Sequence, residues 1–188
     1  MSVFTTFRGM ICSAIAQRMP RLKKVAGHPG RFDLEELKRI ALNAPSVRMA
    51  ILGVPQMEEV SDERLRVHLS CALFVITRDA PGLPRDMAAL NITEELIRMI
   101  SLNQWGVTRQ AGFGVLLPTR LQADNIYSAQ IDRQGVAMWA ISWRQTLILG
   151  ESAFAPGNVL PAELYVRFGR EDPQPHLLVS GNAGGADV

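Results

Sequence analysis

Cysteine and histidine are scarce in this chain, with two and three copies in 188 residues. Cys12 and Cys71 are too few to staple a secreted scaffold and read as reduced core residues, so the cytoplasm is the default compartment. His28, His68 and His176 have no cysteine, histidine or carboxylate at metal-ligand spacing, which makes a metal site unexpected. No apolar run approaches the roughly 18 residues of a membrane-spanning helix, so no membrane partner is expected. Met10 to Ala16 is a short, weakly apolar run between Arg8 and Arg18, with no small-residue cleavage site after it. A signal peptide is not expected either. Repeats and low-complexity tracts are absent.

Catalytic signatures are missing as well. There is no Gly-x-Ser-x-Gly, and neither cysteine has a nearby basic group that would favour a thiolate. Gly112-Phe113-Gly114 resembles part of a phosphate-binding loop, but no third glycine or lysine follows at the needed spacing, so it reads as a loop. Glu94 and Glu95 are adjacent rather than stacked on a helix, which does not make an acid/base pair. The chain is therefore expected to be neither an enzyme nor a cofactor carrier.

What is present is an ordinary globular composition, 47% apolar and 20% charged, enough for one well-cored domain with room for an appendage. Charge is unevenly spread. Residues 1–32 hold Arg8, Arg18, Arg21, Lys23, Lys24 and Arg31 and no acid, leaving 14 basic against 18 acidic residues in the rest. Arg18, Arg21, Lys23 and Lys24 are candidates for contact with nucleic acid or with an acidic partner. Their alternative role is a solvated helix end and loop, and no aromatic–basic alternation marks a nucleic-acid channel.

Helical spacing of Phe4, Phe7, Ile11, Ala14 and Ile15 predicts a first helix over Val3 to Met19, stopped by Pro20. Asp33 with Glu36 forms a capping-box pattern for a second, short helix, with Phe32 and Leu37 as its hydrophobic staple and an end before Pro45. Val47, Met49 and Ile51 alternate as a strand up to Gly53, and Glu58 to Glu63 reads as an acidic loop. A long strand follows over Leu65 to Thr77, half-buried at first and apolar on both faces later. A further helix begins at Asp86 or Asn91 and ends near Leu102, with Leu90, Thr93, Leu96, Ile97 and Ile100 as its packing stripe. Residues 108–125 are irregular, and Tyr127 to Ile131 pairs across Asp132-Arg133-Gln134-Gly135 as a hairpin.

The partner in that hairpin is Val136 to Leu149. At about 3.3 Å per residue it would span roughly 45 Å, where common strands have about 5–6 residues. Trp139, Ile141, Trp143, Gln145, Leu147 and Leu149 share one face; Arg144 lies on the other. Trp139 and Trp143 are either a core row facing the Leu90 to Ile100 helix or interface anchors. Arg144 is either solvated or paired.

After Gly150, Pro156, Gly157 and Pro161 break the pattern, and Leu164 to Phe168 is a short strand candidate. Pro173, Pro175 and the terminal glycines disfavour a regular, self-supporting element, while Leu177, Leu178 and Val179 form an apolar strip suited to docking. The expected fold is α+β: an antiparallel-rich mixed sheet with helices packed on one face, a long β-hairpin and a C-terminal extension. The expected boundary divides a domain over 1–150 from an extension over 151–188.

Several blocks together resemble the tail-terminator family of long-tailed bacteriophages, in its Mu-like phage and prophage branch. They are the first helix, Asn43-Ala44-Pro45-Ser46-Val47-Arg48-Met49-Ala50, Leu69 to Thr77, Leu96 to Ile100, Ile126-Tyr127-Ser128 and Gly135-Val136-Ala137-Met138-Trp139, covering roughly residues 1–150. The resemblance implies a virion structural protein, assembled in the host cytoplasm. It would form a homohexameric ring on the head-proximal end of the tail tube, ending tube growth and joining the head. Its implied partners are its own copies, the tail tube protein and a head–tail connector or neck protein. Contact with DNA passing through the ring would be non-specific at most. Trp139, Trp143, Arg144, Leu177, Leu178 and Val179 are the interface candidates. The alternatives are another neck, connector or completion protein, or a small cytosolic ligand-binding protein or enzyme.

Overall fold

The computed structural model describes residues 2–30, 34–60, 64–107, 112–126 and 128–150, and the backbone of 163–166 and 176–180. The chain divides into two compact units, Met1–Glu151 and Ser152–Val188.

In the first unit the order is α1 (Val3–Arg18), β1 (Lys24–Gly27), α2 (Leu34–Ala41), β2 (Ser46–Glu59), β3 (Leu65–Arg78), α3 (Arg85–Ser101), β4 (Phe113–Val115), β5 (Thr119–Asn125), α4 (Ala129–Asp132) and β6 (Val136–Leu149). Six strands form one mixed sheet in the order β1-β2-β3-β6. Along its far side, β6 pairs with β5 at one end and β4 at the other. β1 runs parallel to β2, and every other pairing is antiparallel. The α+β class with an antiparallel-rich sheet is therefore what this sequence makes.

Two central strands hold the unit together. β3 and β6 pair from Leu65↔Leu149 to Arg78↔Val136 without interruption. Their alternation sends Leu69, Leu73, Ile141 and Leu147 to one face, where all four are fully buried with Phe7, Ile11 and Ile15 of α1 and Leu96 and Ile100 of α3. Burying one such aliphatic or aromatic side chain contributes about 1.5–3 kcal/mol. On the opposite face, α2 sets Leu37, Ile40 and Ala41 against Ile76, Val136 and Met138, with Phe74 and Ile131 of α4 at the border. Thus α1 and α3 share a face, while α2 and α4 cover one end of the other.

Several local expectations change. Ala129 to Asp132 is a helical turn rather than a strand, because the Ser128 hydroxyl accepts the Ile131 N–H at 3.2 Å and caps it. The strand facing β6 lies earlier, at Thr119–Asn125, in a stretch expected to be irregular. Tyr127 lies outside the described residues. α3 starts at Arg85, directly behind Pro84, with the Asp79 carboxylate accepting the Arg85 N–H at 2.9 Å. Asn91 is consequently mid-helix, and Leu90 is 45% exposed rather than part of the packing stripe. The expected capping box and staple of α2 rest on Phe32 and Asp33, outside the described residues.

The second unit contains β7 (Glu163–Val166) and β8 (His176–Ser180), paired antiparallel from Glu163↔Ser180 to Val166↔His176. The strip Leu177, Leu178 and Val179 therefore belongs to a regular element, against the expectation from Pro173 and Pro175. Pairing with β7 satisfies backbone groups of β8, and both prolines precede β8 in sequence.

Candidate assembly interface

Trp143 is 2% exposed, packed in the chain's own core. Its indole N–H donates to Gln145 Oε1 at 3.1 Å, and Trp105 donates to the same oxygen at 3.2 Å. The Gln145 amide in turn donates to the Leu116 carbonyl. This buried network fixes the β4 end of the sheet to β6. Trp139 is half-buried at the border of the core, and Arg144 is half-buried on the opposite face between Ser70 and Thr119 in register. Leu177, Leu178 and Val179 lie in the second unit.

The surfaces left open are the sheet edges. β1 pairs with β2 only from Ser46 to Met49. Among the described residues no strand pairs with the outer side of β2 beyond that point. There Leu52, Val54 and Met57 are 52%, 37% and 63% exposed. The pairing of β2 to β3 shifts register twice between Ile51 and Gln56, around Pro55, which lacks a backbone donor and is tolerated at an edge irregularity. On the opposite side of the sheet, β4 and β5 pair with β6 alone among the described residues, and the link between them exposes Leu116 and Leu117. An unpaired edge with apolar side chains is a template for strand addition.

The half of the second face that α2 leaves bare is polar. Glu58 accepts from Arg66 at 2.8 Å and lies 3.4 Å from His68 Nε2, while His68 Nδ1 is 3.0 Å from the Thr146 hydroxyl. Hydrogen bonding from Arg66, then from His68, holds the Glu58 carboxyl below the usual carboxylate range.

The basic segment does not act as one patch. Arg18 pairs with Glu95 at 2.9 Å. Arg21 borders an apolar cavity of about 480 Å³ with Met19, Leu22 and Ile92. Lys23 is exposed and tied through its backbone to the Pro45 carbonyl. Lys24 lines a separate, polar cavity of about 430 Å³ with His28, Glu36, Arg39, Asn43 and Arg48. Arg48 is only 6% exposed, and its Nε has no hydrogen-bond partner. Burial, then the Arg39 charge, lowers the proton affinity of Arg48. Sequence reading passed over Arg48 and the β2 edge. The available signals were an arginine alternating with Val47 and Met49, and a proline inside an apolar run.

Among the described residues, no helix is long and apolar enough to cross a membrane, and no cluster of metal-ligating side chains forms. The family model described as Bacteriophage Mu, Gp37 matches residues 8–148. The chain belongs to the bacteriophage Mu Gp37 family. That membership supports a phage structural protein. The Gp37 match runs from Arg8 in α1 to Ile148 in β6, so it takes in both open edges and stops before the second unit. No curated protein matches the chain.

Proposed function

We propose that this Gp37-family protein is a tail terminator, six copies of which form a ring on the head-proximal end of the phage tail tube. The observation that carries the reading is the pair of unlike sheet edges within the matched segment that no strand pairs among the described residues: β2 beyond Met49 on one side, β4 and β5 on the other. Unlike edges meet head to tail, and a heterologous contact closes into a ring when its rotation divides a full turn. Main-chain hydrogen bonds would supply affinity, while Leu52, Val54 and Met57 against Leu116 and Leu117 would add apolar contact.

A tail tube grows because each added ring offers a fresh end. A terminator matches the tube on one face and presents a different surface on the other, where a connector or neck protein docks. Trp139 and Arg144, near the β5 edge, and the Leu177–Val179 strip of β8 are the proposed contacts with neighbouring copies. Lys23, Lys24 and Arg21 would meet passing DNA only through phosphate charge, a contact that weakens steeply with salt.

Native mass spectrometry of the purified protein, paired with imaging of tail tubes mixed with it, tests the reading. The expected result is a hexamer, or hexameric caps at one end of the tubes. A protein that stays monomeric and leaves tube ends bare overturns it.

A further inference from the structure

Arg48 projects from β2 on the face that α2 covers, with Ala26 of β1 and Phe74 of β3 in register beside it. A guanidinium taken out of water needs a counter-charge or a full set of acceptors. Arg48 has no ion pair among the described residues, and its Nε is unsatisfied. The carboxylate that shares its cavity, Glu36, lies 3.0 Å from His28 Nε2 and 3.4 Å from Arg39 Nη2. Lys24, Arg39 and Asn43 are exposed at the rim. Three cations thus face one engaged carboxylate around a cavity of about 430 Å³, far larger than the roughly 30 Å³ share of one water. Buried donors left without acceptors in a native fold ask for an occupant.

We propose that this pocket binds an oxyanion of carboxylate or phosphate chemistry, with Arg48 as the anchor at its floor and Lys24, Arg39 and Asn43 as its rim. The planar guanidinium presents paired donors that match both groups. Two sources can deliver that chemistry. One is free inorganic phosphate. The other is the acidic β2–β3 connection of a second copy, where Glu59 is exposed and Asp62 and Glu63 follow in sequence. The second source rests on the ring reading; the site itself does not.

The test follows thermal unfolding of the full chain as chloride is replaced by phosphate at constant ionic strength, and separately as a peptide of residues 57–65 is added. Ligand that binds only the folded state raises the melting temperature saturably. Wild type should show that rise, and Arg48→Met should lose it while melting no lower than wild type in chloride. The variant also removes the general salting effect of phosphate from the comparison. Should Arg48→Met fail to fold, the double variant Lys24→Gln with Arg39→Gln should bind phosphate at least tenfold more weakly. A peptide that competes with phosphate supports the second-copy source, and phosphate binding without peptide binding assigns the free anion. No response to either ligand, or a rise unchanged in the variants, overturns the site even if rings form. Loss of rings with an intact phosphate response removes only the hairpin source.

Discussion

The two halves of β2 each carry three apolar side chains and have opposite surroundings. From Ser46 to Ala50 every residue is buried, between β1 and β3 in the sheet and between α1 and α2 above and below it. From Leu52 to Glu59 the same strand has one neighbour among the described residues, and Leu52, Val54 and Met57 stand exposed. The presence of apolar side chains does not separate the halves, although the distal one is the more polar. The length of the elements that flank them does: β1 stops after four residues, and α2 spans only eight. A strand that outruns the elements on its outer side and covering face carries apolar surface beyond the core that its own chain can build. Something outside the chain can then use it.

The largest expected effect lies beside the proximal half, Ser46 to Ala50. Leu73, opposite Met49 and fully buried, should cost about 2–5 kcal/mol of stability when replaced by alanine, because a cavity remains in a packed core. Urea unfolding measures it, and a loss below about 1 kcal/mol would mean the core yields more than its packing suggests. Association per folded molecule should be unchanged.

Met57→Lys should do the reverse. Stability should stay within about 0.5 kcal/mol of wild type, as for an exposed site. Self-association, followed by sedimentation, should weaken about tenfold, equivalent to about 1.4 kcal/mol. A variant that loses stability but associates normally would erase the contrast between the halves.

The smallest effect concerns Glu58, also in the distal half. A carboxyl whose folded pKa is depressed contributes stability that is present above its unfolded pKa and is lost as pH falls through the folded one. Wild type should therefore exceed Glu58→Gln in stability near pH 7, and the gap should close between about pH 5 and about pH 2. Denaturation curves across that range measure it. A gap independent of pH would assign the difference to shape rather than charge.

Long, strongly patterned elements were legible in the sequence. Val136 to Leu149 forms a strand over the full expected span, and the helix with Phe7, Ile11 and Ile15 ends one residue before the expected Met19. Short or interrupted elements were not. Lys24–Gly27 has four residues and two of them are polar or glycine, so it reads as linker until Ser46–Met49 lies beside it. β2 runs past Gly53 and Pro55 because an edge strand with shifted register does not need every donor. The Arg48 pocket was invisible for a similar reason. Its residues come from β1, α2, β2 and the loops between them, and only the fold brings Lys24, Arg39 and Arg48 to one cavity. The edge that carries the proposed assembly was half-legible, since the long strands were evident but not the place where their neighbours stop.

The Gln145 network has a spectroscopic consequence. Two of the chain's three tryptophans, Trp105 and Trp143, lie with ring centroids 6.4 Å apart, both buried and both donating to one amide oxygen. Their emission should be blue-shifted in the folded protein and should move red together when the core opens. The β2 edge carries no tryptophan. Trp139, half-buried beside Asn125 of β5, is the one indole placed near an edge. Intrinsic fluorescence therefore reports unfolding through the buried pair, and any change confined to Trp139 would identify which edge of the sheet a partner has touched, without a label.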